Sequence, residues 1–132
     1  MMAMLLALEA APAPDLVDEP AVAEFCRLLL DKATAERFHE QGAFVVRTPE
    51  GLLYFVTWPA GEDKDHLRWE GRFPEGAIAI VHTHPPWMRE PSKLDVRAAR
   101  RTKLPVYVIT PSGIVKTTGG EPEVVTSLHE AR

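Results

Sequence analysis

The chain has 132 residues, 45% hydrophobic and 26% charged, which is the length of one domain and a composition unlike that of disordered or fibrous proteins. Its formal charge of −4 argues against an electrostatic nucleic-acid binder, which needs concentrated Lys and Arg. With one cysteine, Cys26, it cannot form an internal disulfide, and it fits a reducing compartment.

The first residues, Met1 to Leu8, resemble the apolar part of a secretion signal but lack a basic start. They also fall far below the ~20 apolar residues that span a bilayer, so no membrane span is expected. A cytoplasmic protein is the expectation, with export as the alternative if residues 1–14 are the remnant of a signal. Residues 1–19, rich in Ala, Pro and acids, read as a flexible lead-in, and residues 20–132 as the single domain.

From Pro20, the spacing of Val22, Phe25, Cys26, Leu29 and Leu30 predicts an amphipathic helix to about Phe38. Ala43–Val46 and Leu52–Trp58, β-branched and aromatic around a Pro/Gly turn, predict a hairpin. Residues 61–66 read as a loop and 67–73 as a third strand. Ala77 to His82 is a continuous apolar run, the mark of a strand covered on both faces. Ser92 to Lys103 predicts a second helix, and Pro105–Thr110 with Ile114–Thr117 a second hairpin. The expected fold class is α+β, a mixed β-sheet flanked by helices.

His82-Thr83-His84 closes the apolar run, and the two-residue period of a strand puts both imidazoles on one face. Pro85 and Pro86 stop the strand at that point. Beyond a short loop, Ser92 occupies the N-cap position of the second helix and Asp95 its third residue. Side chains on a helix lean toward its N-terminus, so Asp95 points back toward the histidines. Two imidazoles and a carboxylate leave one tetrahedral position for water, as in a catalytic zinc site, although iron, cobalt or manganese would also be accommodated. Taken singly, Ser92 and Asp95 read as a capping box and each histidine as structural; the combined spacing carries the functional reading.

His82-Thr83-His84-Pro85 followed by Ser92-Lys93-Leu94-Asp95 resembles, position for position, the signature of the JAMM (JAB/MPN+) metalloprotease family. The resemblance implies a JAB/MPN-like, cytidine-deaminase-like fold. It also implies one zinc held by His82, His84 and Asp95, a serine, Ser92, that helps stabilise an oxyanion, and an upstream glutamate as general acid/base. In the family that glutamate lies between the first helix and first strand, which selects Glu40 ahead of Gly42-Ala43, with Glu36 as runner-up. Glu50, Glu62, Glu70 and Glu75 fall in turns or later strands.

Trp87, in the loop between the ligands, is a candidate wall of a substrate groove, whereas Trp58 and Trp69 read as core or rim. His39, His66 and His129 lack ligand spacing and read mostly as surface residues. Arg97, Arg100, Arg101 and Lys103 read as the wet face of a helix.

The expected activity is therefore a zinc-dependent peptidase or isopeptidase, acting on a protein or peptide, including ubiquitin-like substrates. The alternative is a catalytically silent MPN-fold module that binds a partner protein. Metallo-β-lactamase-like enzymes want a fuller His-x-His-x-Asp-His pattern, and amidohydrolase barrels ~250 residues. Asp95 leads through one helix straight into Pro105, leaving no room for the insertion of ubiquitin-cleaving relatives, so the chain resembles the compact prokaryotic form.

Overall fold

The computed structural model describes residues 15–59, 69 and 72–126. The lead-in 1–14, the loop over 61–66 and the segment containing His129 lie outside them. In chain order the elements are α1 (Pro20–Ala35), β1 (Gly42–Arg47), β2 (Leu53–Thr57), β3 (Ala77–Thr83), α2 (Lys93–Thr102), β4 (Val106–Thr110), β5 (Gly113–Thr117) and β6 (Glu123–Thr126). The six strands form one sheet in the order β2-β1-β3-β4-β5-β6. β3 and β4 run parallel and the other neighbours antiparallel, so the sheet is mixed.

Alternation along the strands sorts the core into two layers. Ala43, Val45, Ala79, Val81, Tyr107 and Ile109 face α1, where Val22, Cys26 and Leu29 cover them. Phe44, Val46, Ile80 and Val106 face the other way, onto Ala99 of α2. β3 is covered on both faces, which is why its sequence is apolar without alternation. Burying a Val or Leu side chain is worth about 1.5–3 kcal/mol, so the stripe of α1 is a main attachment of that helix to the sheet.

Local signals set the boundaries. Pro20 stands in the first turn of α1, where its missing N–H costs nothing. The helix ends at Ala35, before the expected Phe38, because Arg37 and Phe38 take left-handed backbone at φ 58° and 64°. No glycine marks that stop. Gly76, at φ 83°, is required ahead of β3: a Cβ there would meet the Arg47 carbonyl oxygen at 2.6 Å.

Three features depart from the sequence reading. Leu16–Asp18 forms a 3₁₀ turn capped by Asp15, with Val17 buried, so the packed chain reaches upstream of Pro20. β6 pairs with β5 at an edge of the sheet. Of the strand expected over 67–73, Trp69, Arg72 and Phe73 are described and none lies in a strand.

Asp15, the cap of the 3₁₀ turn, is clasped by a polar cluster. The Tyr107 hydroxyl donates to Asp15 Oδ1 at 2.6 Å and Lys116 Nζ lies 2.9 Å from Oδ2. Burial raises the Asp15 carboxyl, but the hydrogen bonds from Tyr107, Lys116 and the Val17 N–H together outweigh it and hold the group below the usual carboxylate range.

Candidate metal centre

The site forms where β1, β3 and α2 meet. β1 and β3 are antiparallel, with Gly42 opposite His82 and Ala43 opposite Val81. The pairing continues past the strand end, since the Thr83 N–H donates to the Gln41 carbonyl and the Gln41 N–H to the Thr83 hydroxyl, both at 2.9 Å. One residue further, this register sets Glu40 against His84. The period of two puts Glu40, His82 and His84 on the face that carries Phe44 and Ile80, the face covered by α2. Gly42 presents no side chain opposite the His82 ring.

His84 follows the last residue of β3, and its N–H still donates to the Ile109 carbonyl of β4 at 3.0 Å. Its ring is fixed by a 2.9 Å contact between Nδ1 and the Met88 carbonyl, so Nδ1 carries the proton and Nε2 is left as a donor to a metal. The two imidazole centroids are 4.8 Å apart.

The carboxylate from α2 arrives through a capping box. Ser92 Oγ accepts from the Asp95 N–H at 3.1 Å, and Asp95 Oδ2 accepts from the Ser92 N–H at 2.7 Å. The arrangement that caps the helix thus also locks the aspartate rotamer. Asp95 Oδ1 lies 2.7 Å from His82 Nε2, and Oδ2 lies 3.4 Å from His84 Nε2.

Glu40 enters from the opposite side. Its Oε1 is 3.6 Å from His84 Nε2 and 3.9 Å from His82 Nδ1. Glu40, His82, His84 and Asp95 are all buried. One donor atom each from Glu40, His82 and His84 lie within 4.8 Å of one another, a spacing that suits a metal ion.

Electrostatics favour a cation here. Burial on its own would discharge His82, yet the charges of Asp95 and Glu40, with the Asp95 hydrogen bond, raise its affinity for a proton. For Asp95, burial is again outweighed, by the charge and hydrogen bond of His82 and by the hydrogen bond from the Ser92 N–H, and the carboxyl falls well below its usual range.

The donor set fits zinc. With metal–ligand bonds of about 2.0–2.1 Å, two donors on a tetrahedron stand about 3.3–3.4 Å apart. The 3.4 Å between His84 Nε2 and Asp95 Oδ2 matches that edge, whereas the 2.7 Å between His82 Nε2 and Asp95 Oδ1 is the shorter distance of a hydrogen bond. Two carboxylates are in reach, and they face different nitrogens of His82. Asp95 meets Nε2, and Glu40 lies toward Nδ1.

The other candidates stand elsewhere. Glu36 caps the exposed end of α1 and accepts from the Gln41 amide at 2.7 Å. Glu50 and Glu75 sit in exposed turns, while Glu62, Glu70 and His66 lie outside the described residues. His39 is half-buried beside Glu40 in the chain. Trp87 is 69% exposed and packs edge-on against Phe38, with ring centroids 5.9 Å apart.

A groove of about 390 Å³ opens beside the centre, with His82 and Asp95 among its lining residues. Its apolar wall comes from Trp58, Trp69 and Phe73, gathered around Phe44 at centroid distances of 5.4, 5.1 and 5.0 Å. Sequence reasoning did not find this groove, and Trp87 does not line it.

A histidine pair at the end of a central strand, answered by an aspartate from the next helix across a mixed sheet, places the protein among JAB/MPN-type domains. More narrowly, the chain belongs to the prokaryotic JAB family: the family described as prokaryotic homologs of the JAB domain matches residues 16–125. That span contains every residue of the centre. No curated protein and no solved structure matches the chain.

Proposed function

We propose that the protein is a zinc-dependent peptidase or isopeptidase, with His82, His84 and Asp95 as the metal ligands and Glu40 as the proton carrier. The observation that carries this reading is the division of labour between the two buried carboxylates. Asp95 is locked by the Ser92 N–H and stands beside both imidazoles, 2.7 Å from His82 Nε2 and 3.4 Å from His84 Nε2. Glu40 Oε1 faces the same two rings from 3.6 and 3.9 Å, without the close contact that Asp95 makes.

Zinc bound here supplies Lewis acidity toward a carbonyl oxygen and toward water. The protein does the rest. Glu40 accepts the proton of the attacking water and returns it to the leaving amine. Ser92 Oγ already accepts from the Asp95 N–H, and its own hydrogen remains to be donated to the developing oxyanion. The Met88 carbonyl keeps the His84 proton on Nδ1. An orienting partner of this kind typically changes metal affinity or activity by about 10–100-fold.

The test is hydrolysis by the zinc-loaded chain of two probes, a ubiquitin-like tail in isopeptide linkage and a set of short peptides. Chelator-sensitive cleavage of either supports the reading. A chain that holds zinc stoichiometrically and cleaves neither is the silent binding module instead.

A further inference from the structure

The groove beside His82 and Asp95 has a chemistry of its own, distinct from that of the metal ligands. One wall is aromatic, and the other is a face of α2 that carries Leu94, Arg97 and Arg101 at three- and four-residue spacing. Leu94 is 61% exposed and Phe73 47% exposed, two large apolar side chains facing one opening. Neighbouring exposed apolar groups of this size are characteristic of ligand-binding grooves. Trp69 is held in the wall by its indole N–H, which donates to the Arg72 carbonyl at 3.1 Å.

Charge is distributed unevenly along this opening. Asp95, the proposed metal ligand, is the acidic group that lines it. Arg97 and Arg101 make the far end positive, and neither has an acidic partner among the described residues. The dipole of α2 favours basic groups in its last turn and accounts for Arg100 and Arg101. It does not account for Arg97, or for two guanidinium groups sharing a groove with Leu94. Arg100 is occupied elsewhere, donating to the Gly119 carbonyl.

We propose that this groove is the side-chain subsite of the metal centre. It selects peptides with a large aromatic or aliphatic residue beside the scissile amide and a carboxylate just beyond it. The inference rests on the hydrolase reading for its meaning, but the binding it describes does not need turnover. The carboxylate belongs either to an acidic side chain or to a free C-terminus; Arg97 and Arg101 recognise the same group in both.

The experiment is calorimetric titration of the full chain carrying Glu40→Gln, zinc-loaded, with four probes. These are acetyl-Gly-Gly-Phe-Asp-amide, acetyl-Gly-Gly-Phe with a free C-terminus, acetyl-Gly-Gly-Phe-amide and acetyl-Gly-Gly-Ala-Asp-amide. The Phe-Asp probe binds at least about tenfold tighter than the Ala-Asp probe, because a ring buries far more apolar area than a methyl. A carboxylate adds roughly threefold at low salt, and that gain disappears at high salt, as expected of an exposed ion pair. Whichever carboxylate probe shows the gain identifies the source.

Arg97→Ala with Arg101→Ala removes the carboxylate gain and keeps the Phe preference; Leu94→Ala weakens the Phe preference and keeps the carboxylate gain. All three positions are exposed, so melting temperatures stay close to that of the parent. Equal binding of the Phe and Ala probes overturns the proposal. So does a carboxylate gain that survives loss of both arginines. Selective binding without hydrolysis by the wild type removes the hydrolase reading alone, and hydrolysis without selective binding removes the groove alone.

Discussion

His82 Nε2 and Asp95 Oδ1 are 2.7 Å apart, thirteen residues along the chain and on different elements. The contact joins the end of β3 to the first turn of α2, so the positions of these two side chains are set by two packed elements and would not depend on a metal. The purified protein is expected to hold about one zinc, and a chelator to remove it while most of the fold persists. Elemental analysis of His82→Ala, His84→Ala and Asp95→Ala against the wild type checks this. Full metal retention in all three variants eliminates the site.

Glu40 and Asp95 are both within reach of the imidazoles, and substitution separates their roles. Glu40→Gln is expected to keep the metal and to lose at least about two orders of magnitude in turnover, the scale of general-base catalysis. Glu36→Gln, at the exposed end of α1, is expected to do little. Zinc loss in Glu40→Gln would make Glu40 a ligand and leave the proton carrier to be found.

Ser92 caps α2 and is the proposed oxyanion donor, two roles that different readouts resolve. Loss of its N-cap hydroxyl in Ser92→Ala is expected to cost about 0.5–2 kcal/mol of stability. Loss of an oxyanion donor slows turnover by about 10²–10³-fold with zinc retained. Both effects are expected together, and Ser92→Thr restores most of the cap. An alanine variant that melts earlier and turns over normally reduces Ser92 to a helix cap.

The Asp15 clasp gives the protein an acid-sensitive component of stability. Its carboxyl is held below the usual range in the folded chain, so this contribution is fully present above the ordinary aspartate value near about pH 4. It is lost as pH falls through the lower folded value. Asp15→Asn is therefore expected to melt earlier than the wild type at neutral pH, with the difference shrinking on acidification. Melting curves from neutral pH down to strong acid show it, and a difference independent of pH refutes it.

The Trp58 indole N–H is buried and has no hydrogen-bond partner among the described residues. An unpaired buried donor costs about 1–3 kcal/mol, which Trp58→Phe removes while keeping most of the ring. The expected result is stability within about 1 kcal/mol of the wild type, against a loss of at least about 2 kcal/mol for Trp58→Ala. Equal losses in denaturant titrations of the two variants would show that the N–H is satisfied.

Periodicity made the main elements legible. The α1 stripe, the apolar run of β3 and the two hairpins each follow from side-chain spacing, and the mixed sheet from their order. The residues of the centre were legible because strand period, helix cap and Pro85 act over short distances. The stop at Ala35 was not, because Arg37 and Phe38 are ordinary residues in a left-handed conformation more usual for glycine. β6 is short, exposed at its start and preceded by Glu121 and Pro122, so its composition reads as a loop. The groove was hidden for a different reason. Its walls come from β1, the end of β2, the segment around Trp69 and Phe73, and α2, and no local pattern announces that they meet.

The order of strands in the sheet also bears on how the protein is made. β1–β2, β4–β5 and β5–β6 join neighbours in sequence and close through short loops, whereas β1–β3 and β3–β4 join segments separated by long connections. Local pairings form early and distant ones pay loop entropy first, so the seams on either side of β3 are late events in folding. The histidines and Glu40 sit on the β1–β3 seam, and Asp95 on the helix that connects β3 to β4. In the reading proposed above, uptake of the metal waits for completion of the sheet, and a stalled chain with its hairpins formed would have no place for the ion.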